Sequence, residues 1–235
     1  MTADSRGTGR DKNVAQGRVT YHVRYATTPP IVVSLGEGER REAARAIGRL
    51  CRDPGAPEPA RRRSERAFHI VADGQAPIAR VTTEQPLGSR VSGRAGVYRV
   101  EDPYGAPLAR ITLRRRPLLR FGRTQWTVEP VNGPALRGYR GRLLWWAVWW
   151  PIGLPLSVVW GITSLLGEGD GGFGAPRRVI WRDPSGRARL VFRGVADEYR
   201  VLGDDWDPRL VTALVGLHQS FDPSEGGGAL GWYEQ

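Results

Sequence analysis

The chain has 235 residues, a formal charge of +11 and one cysteine, with 40% apolar and 25% charged side chains. That length holds one large or two small domains and buries a core without metal or disulfide staples. A single cysteine, Cys51, excludes an internal disulfide and fits a reducing compartment, while 31 Gly and 18 Pro describe strands and turns rather than a helical bundle.

Residues 1–17 are polar with no apolar run, which predicts a disordered tail on a non-secreted chain. From Arg18 the run RVTYHVRY alternates, predicting a strand with Val19, Tyr21, Val23 and Tyr25 on one face. IVVSL (31–35) predicts a second strand. Over 37–51, Ala43, Ala44, Ile47, Leu50 and Cys51 fall at helical spacing behind Glu37 and Glu39, which suit the positive end of a helix. A helix is expected there, with Cys51 a buried structural thiol on its apolar face. Residues 52–65 form a Pro-rich basic linker.

Four stretches then share one plan: 68–82, 98–112, 126–140 and 179–193. Each is an alternating apolar run, an Asp/Pro/Asn/Gly turn and a second alternating run, the pattern of a β-hairpin. The first two are near-duplicates, containing PIARVT and PLARIT. With EYRVL (198–202) they predict a meandering sheet or barrel. Asp207 is placed as an N-cap and Pro208 as the first helical residue. Leu210, Val211, Ala213, Leu214, Val215 and Leu217 leave the following helix almost no polar face. Such a helix is buried, and a barrel offers its interior. The expected fold is mainly β (α+β), about 11–12 antiparallel strands around a C-terminal helix. One domain covers 18–221, interrupted by an insertion at 143–174 and followed by a flexible tail at 222–235.

This combination resembles the tubby-like superfamily, and within it the LURP-one-related and phospholipid-scramblase-like proteins. The resemblance is carried by the hairpin form aromatic-x-apolar-x-Asp-x-x-Gly-x-x-apolar-Ala-x-apolar, met well by Tyr98 to Ile111 and loosely by Phe68 to Val81. The final helix, Arg209 to Phe221, carries the rest. It implies a twelve-stranded barrel threaded by that helix and, for some members, binding of lipid headgroups; fold analogy alone does not assign a function. The long Trp-rich insertion departs from the family pattern.

That insertion contains LLWWAVWWPIGLPLSVVWGITSLL (143–166), uncharged throughout. A straight helix of this length would be ~36 Å long at 1.5 Å per residue, enough for a ~30 Å hydrocarbon core. Pro151 and Pro155 interrupt such a helix. Trp145, Trp146, Trp149 and Trp150 make one aromatic face, with Trp160 beyond, and tryptophan prefers the headgroup boundary. The expectation is a membrane-associating helical hairpin bent at 151–155 that dips in and returns. The alternatives are a single crossing, with Arg137, Arg140 and Arg142 on the cytoplasmic side, and a buried or partner-facing segment of a soluble fold. GEGDGGFG (167–174) reads as its exit loop.

Of the 35 Lys and Arg residues only Lys12 is a lysine, a bias that GC-rich coding also produces. Arg114, Arg115 and Arg116, with Arg120 and Arg123 close behind, and Arg140 and Arg142 beside the apolar segment, are the candidate headgroup-binding residues. A solvated basic surface is the plainer reading of the same residues. No zinc, helix-turn-helix or RRM pattern accompanies the charge, which argues against nucleic acid. His22, His69 and His218 show no paired-ligand spacing, and no G-x-S-x-G, P-loop or H-E-x-x-H occurs, so structural histidines and no catalytic, cofactor or metal site are expected. Asp204, Asp205 and Asp207 read as a turn and helix cap, near where the resemblance would put a Ca²⁺-binding stretch. The expected function is non-catalytic recognition of anionic membrane lipid at the cytoplasmic face of the cell membrane. The alternatives are docking on a membrane-protein partner and scramblase-like lipid movement.

Overall fold

The computed structural model describes residues 19–56, 64–72, 76–89, 92–115, 123–140, 178–194, 196–203, 205–221 and 232–234. Their strands are β1 (Val19–Arg24), β2 (Ile31–Leu35), β3 (Arg45–Arg52), β4 (Ala67–Val71), β5 (Pro77–Gln85), β6 (Gly96–Glu101), β7 (Pro107–Arg114), β8 (Gln125–Pro130), β9 (Leu136–Arg140), β10 (Val179–Arg182), β11 (Ala188–Arg193) and β12 (Glu198–Val201). Each pairs antiparallel with its sequence neighbours, and β12 returns to β1 with Val19 opposite Val201, closing a barrel. Closure leaves no free sheet edge.

Strict alternation of direction sorts the connections. Even-to-odd connections lie at one end, the hairpin end, where the four repeated turns 72–76, 102–106, 131–135 and 183–187 sit. Two of them show why the Asp-Pro-x-Gly sequence folds this way. Asp102 Oδ1 accepts from the N–H of Tyr104 and Ala106, Asp183 Oδ1 accepts from that of Arg187, and Gly105 and Gly186 take φ of 82° and 83°. Only glycine enters that region without a Cβ clash. Odd-to-even connections lie at the other end, the mouth, and include 53–66, 115–124 and 141–178.

Helix α1 (Pro208–Gln219) enters from the hairpin end, capped by Asp207 accepting from Arg209 N–H, and runs to the mouth. All of Leu210 to Gln219 is buried. Around it, alternate strand residues point inward: Phe68 and Ile70, Tyr98 and Val100, Trp126 and Val128, Trp181, Phe192 and Tyr199 are all buried. The expected barrel and its central helix are therefore present, and all four hairpins and the two leading strands form as predicted.

Two expectations fail. The helix over 37–51 does not form: Arg41–Ala43 makes one 3-10 turn and Arg45–Arg52 is β3. Of the residues at helical spacing that fall in β3, Leu50 faces the interior while Ile47 and Cys51 fall on the alternate face. Gly48 and Leu50 point inward, and a Cβ on Gly48 would lie 2.6 Å from Ile70 Cγ2. The barrel needs a strand between β2 and β4, and pairing on both sides overrides the local preference. Cys51 consequently lies half-buried opposite His69 on the outer wall, where burial pushes its thiol pKa up. The flexible tail expected at 222–235 also fails in part, because Trp232–Glu234 is a 3-10 turn with Trp232 and Tyr233 buried against the core.

The apolar helical hairpin at 143–166 lies outside the described residues. No helix among the described residues is long and apolar enough to cross a membrane.

Candidate functional site

The barrel brings four of the seven predicted arginines to the mouth. Arg114 ends β7 and is exposed, with Arg115 directly after it; Arg123 precedes β8; Arg140 ends β9. Register holds these ends side by side: Arg114 opposite Gln125, Gln125 opposite Tyr139, and Arg140 opposite Val179. The Arg123 guanidinium lies over the Tyr139 ring at 5.1 Å, within cation–π range. Arg116, Arg120 and Arg142 lie outside the described residues, as do Trp145, Trp146, Trp149, Trp150, Pro151, Pro155 and Trp160.

The pairing of Arg140 with Val179 bears on the insertion. Residues 141–177 leave and return at one point on the barrel rim, between hydrogen-bonded neighbours β9 and β10.

Sequence reasoning missed the residue at the centre of the mouth. Arg66 is 1% exposed, yet carries a full charge. Its Nε donates to Ser220 Oγ (3.0 Å), Nη2 to the Ser220 carbonyl (2.9 Å) and Nη1 to the Glu65 carbonyl (2.8 Å). It thereby meets the carbonyl end of α1, where the helix dipole places about half a negative charge. The guanidinium also lies between two rings, 4.1 Å from the centroid of Phe221 and 4.7 Å from that of Tyr233.

The same two rings reach further arginines. Arg52, the last residue of β3, lies 5.5 Å from Tyr233, and Arg115 lies 5.8 Å from Phe221. Arginines and aromatics thus alternate across the mouth, Arg52–Tyr233–Arg66–Phe221–Arg115. Tyr233 is fixed by its hydroxyl, which accepts from Ala67 N–H at 2.9 Å, and Trp232 beside it donates to the Gly216 carbonyl at 2.9 Å. Tyr98, whose hydroxyl donates to the Ser64 carbonyl, packs on Phe221. Burial pushes its phenol pKa well up, with Arg66 and Arg115 close enough to pull the other way.

Other polar clusters lie on the outer wall, inside the barrel and at the hairpin end. His69 and Arg80 both bind the largely buried Asp53 carboxylate on the outer wall. Inside, His218 Nδ1 lies 2.7 Å from the Tyr199 hydroxyl within a box of Trp126, Trp181 and Phe192. At the hairpin end a cleft of about 160 Å³ opens between Pro107, Pro130, Pro134 and Trp206, with Arg189 held by Asp183 and Asp205 along it. It faces away from the mouth. Among the described residues no group of His, Cys, Asp or Glu is arranged to hold a metal ion.

Comparison with family models, with curated proteins and with solved structures finds no match to this chain.

Proposed function

We propose that this chain is a non-catalytic, membrane-associated binding protein that recognises anionic lipid headgroups at the arginine-rich mouth of a tubby-like barrel. The observation that carries the reading is topological. The end that gathers Arg114, Arg115, Arg123 and Arg140 is also the end from which 141–177 leaves and returns. An uncharged, tryptophan-rich segment and a basic rim on one face supply the two signals that stable peripheral attachment needs. Arginine suits the task because its planar fork pairs bidentately with phosphate, and each charge near an anionic leaflet contributes ~1 kcal/mol. In this reading the segment dips into the leaflet and the barrel rests mouth-down on the cytoplasmic face.

Flotation of the full chain with phosphatidylcholine vesicles, with and without phosphatidylserine, tests the reading. The partner experiment replaces 143–174 by a short Gly-Ser linker. The full chain should float, more strongly with phosphatidylserine, and high salt should remove the extra part while sparing the rest. The deletion should stay folded and remain at the bottom. Folded full-length protein that does not float would sink the proposal and favour docking on a membrane-protein partner through the apolar segment.

A further inference from the structure

The hairpin end, opposite the mouth, carries two features that lipid binding does not use. One is the cleft of about 160 Å³ walled by Pro107, Pro130, Pro134 and Trp206. Proline has a fixed φ, so three of these walls stand on stiff backbone and little ordering is needed when a group enters. A cavity of about 150 Å³ holds benzene, so this cleft suits a single aromatic ring. The other feature is Tyr104, 94% exposed in the β6–β7 turn and close in sequence to Pro107. Three large apolar side chains are exposed among the described residues, and two of them, Tyr104 and Val131 on the cleft rim, lie at this end.

The turn presents Tyr104 on a fixed backbone. Its N–H donates to Asp102 Oδ1 (2.9 Å), and the Gly105 N–H donates to the Asp102 carbonyl (3.1 Å). Ring and cleft lie side by side on one chain, which is the arrangement a closed two-fold pair requires. In such a pair a residue of one copy meets a second site on its partner, and the same contact repeats in reverse. Charge permits the approach. The chain as a whole carries +11, which sets two copies against each other. Around the cleft the charges are matched instead: Arg189 pairs with Asp183 and Asp205, and Arg209 pairs with Asp207.

We propose that the hairpin end is a self-association surface, with Tyr104 of each copy seating its ring in the cleft of the other. The occupant of the cleft is a second copy of this chain, and Val131 on the rim packs against the incoming ring. The two rings alone bury roughly 300–500 Å², well below the ~1,200 Å² of a standard stable interface. The pair is therefore weak and reversible, and it forms as protein concentration rises. Two hairpin ends brought face to face leave both mouths pointing outward. Pairing does not compete with attachment to a leaflet, and it stands or falls independently of the lipid-binding reading.

Sedimentation velocity of the full chain over a range of concentrations tests it, in a mild detergent that covers 143–166 and with thermal melting to establish folding. Wild type should pass from monomer to dimer as concentration rises. Tyr104→Ser should weaken pairing at least about tenfold, as truncation of a well-packed interface aromatic does, and Tyr104→Phe should retain it. Val131→Glu places a charge at an exposed position on the cleft rim and should weaken pairing as well. Mixing the two variants is the decisive step. Tyr104→Ser keeps a cleft without a ring and Val131→Glu keeps a ring without a usable cleft, so one of the two contacts returns. The mixture should pair more tightly than either variant alone. Wild type that stays monomeric at every concentration overturns the proposal, as does a dimer that survives both substitutions or a mixture that pairs no better than its components. A monomeric wild type that phenol stabilises against heat, with the effect lost in Val131→Glu, would give the cleft to a small aromatic ligand and overturn the second copy as its occupant.

Discussion

Replacing Arg66 by methionine removes a buried charge that meets a helix end and two aromatic rings. Its two donations to Ser220 are charge-assisted, and such bonds contribute ~1.5–3 kcal/mol each. Stacking on Phe221 and Tyr233 adds ~0.5–2 kcal/mol per ring. Against this stands desolvation of the guanidinium, several kcal/mol that methionine avoids. The balance is a destabilisation of about 2–4 kcal/mol, because the thioether side chain would fill much of the volume yet leave the Ser220 carbonyl and the end of α1 without their donor. For a chain of this length that corresponds to a fall in Tm of roughly 5–15 °C.

The assay is thermal and denaturant unfolding of wild type, Arg66→Met, Ser220→Ala and the double variant. Ser220→Ala removes only the hydroxyl partner and should cost about 1 kcal/mol. Because the two residues touch, the double variant should be less destabilised than the two singles added together, with a coupling of at least ~0.5 kcal/mol. A Tm for Arg66→Met within about 2 °C of wild type would refute the reasoning, since the helix end would then need no cap from the mouth.

Other parts of the barrel make independent predictions. At Gly138 on β9 a Cβ would sit 2.7 Å from Nε1 and 2.8 Å from Cδ1 of the fully buried Trp181, so Gly138→Ala should cost about 1–3 kcal/mol and shift tryptophan emission. Unchanged stability there would show that the indole can move aside. Asp207→Ala removes the N-cap of α1 and should cost about 1 kcal/mol near neutral pH. The hydrogen bond from the Arg209 side chain, then those from the Arg209 and Leu210 backbone, hold the Asp207 pKa below the usual carboxylate value. Its contribution is present above pH ~4 and disappears as pH falls through the lowered pKa. Wild type and variant should therefore converge in acid. Tyr98 behaves in the opposite sense: burial raises its pKa, so its contribution is complete below pH ~10 and is lost as pH rises through the higher folded value. Tyr98→Phe should lose about 1 kcal/mol with the bond to Ser64 and flatten the alkaline limb of the stability curve.

The hairpins and the central helix are legible in the sequence because their signals are local. Asp102 and Asp183 stand where a side chain must accept turn N–H groups, and Leu210 to Leu217 leave a helix no solvent face. β3 is illegible for the converse reason. RAIGRLCR is rich in Ala, Arg and Leu, good helix formers, and its strand identity comes from Val32 and Ile70 on either side. The arginines of the mouth could be named from their positions, since Arg114, Arg115, Arg123 and Arg140 border predicted strand ends. Arg66 could not. Nothing in SERAF marks a buried guanidinium, because its partners Ser220 and Tyr233 lie more than 150 residues away along the chain. The one available signal is Trp232–Tyr233, two large aromatics in a stretch whose Gly-rich start reads as tail.

The division of labour between the two ends follows from the same geometry. At the hairpin end the four repeated connections need only reverse direction, and Asp and Gly at fixed positions satisfy that locally. At the mouth the barrel must also receive the end of α1, whose last carbonyls have no helical partners. The Gln219 side chain is met there by Tyr25 and Asp197, and the Ser220 hydroxyl and carbonyl by Arg66, groups supplied by the mouth-side connections and strand ends. Once one of those groups is a buried arginine, aromatic rings are favoured around it, because they offer packing and electron-rich faces without a competing acceptor. Phe221 and Tyr233 occupy those places, and their outer contacts fall on Arg52 and Arg115. An arginine-bearing, aromatic-braced mouth is thus a consequence of ending a buried helix inside a closed barrel with arginine at its end, and the strands that flank the connection 141–177 meet on the rim of that mouth.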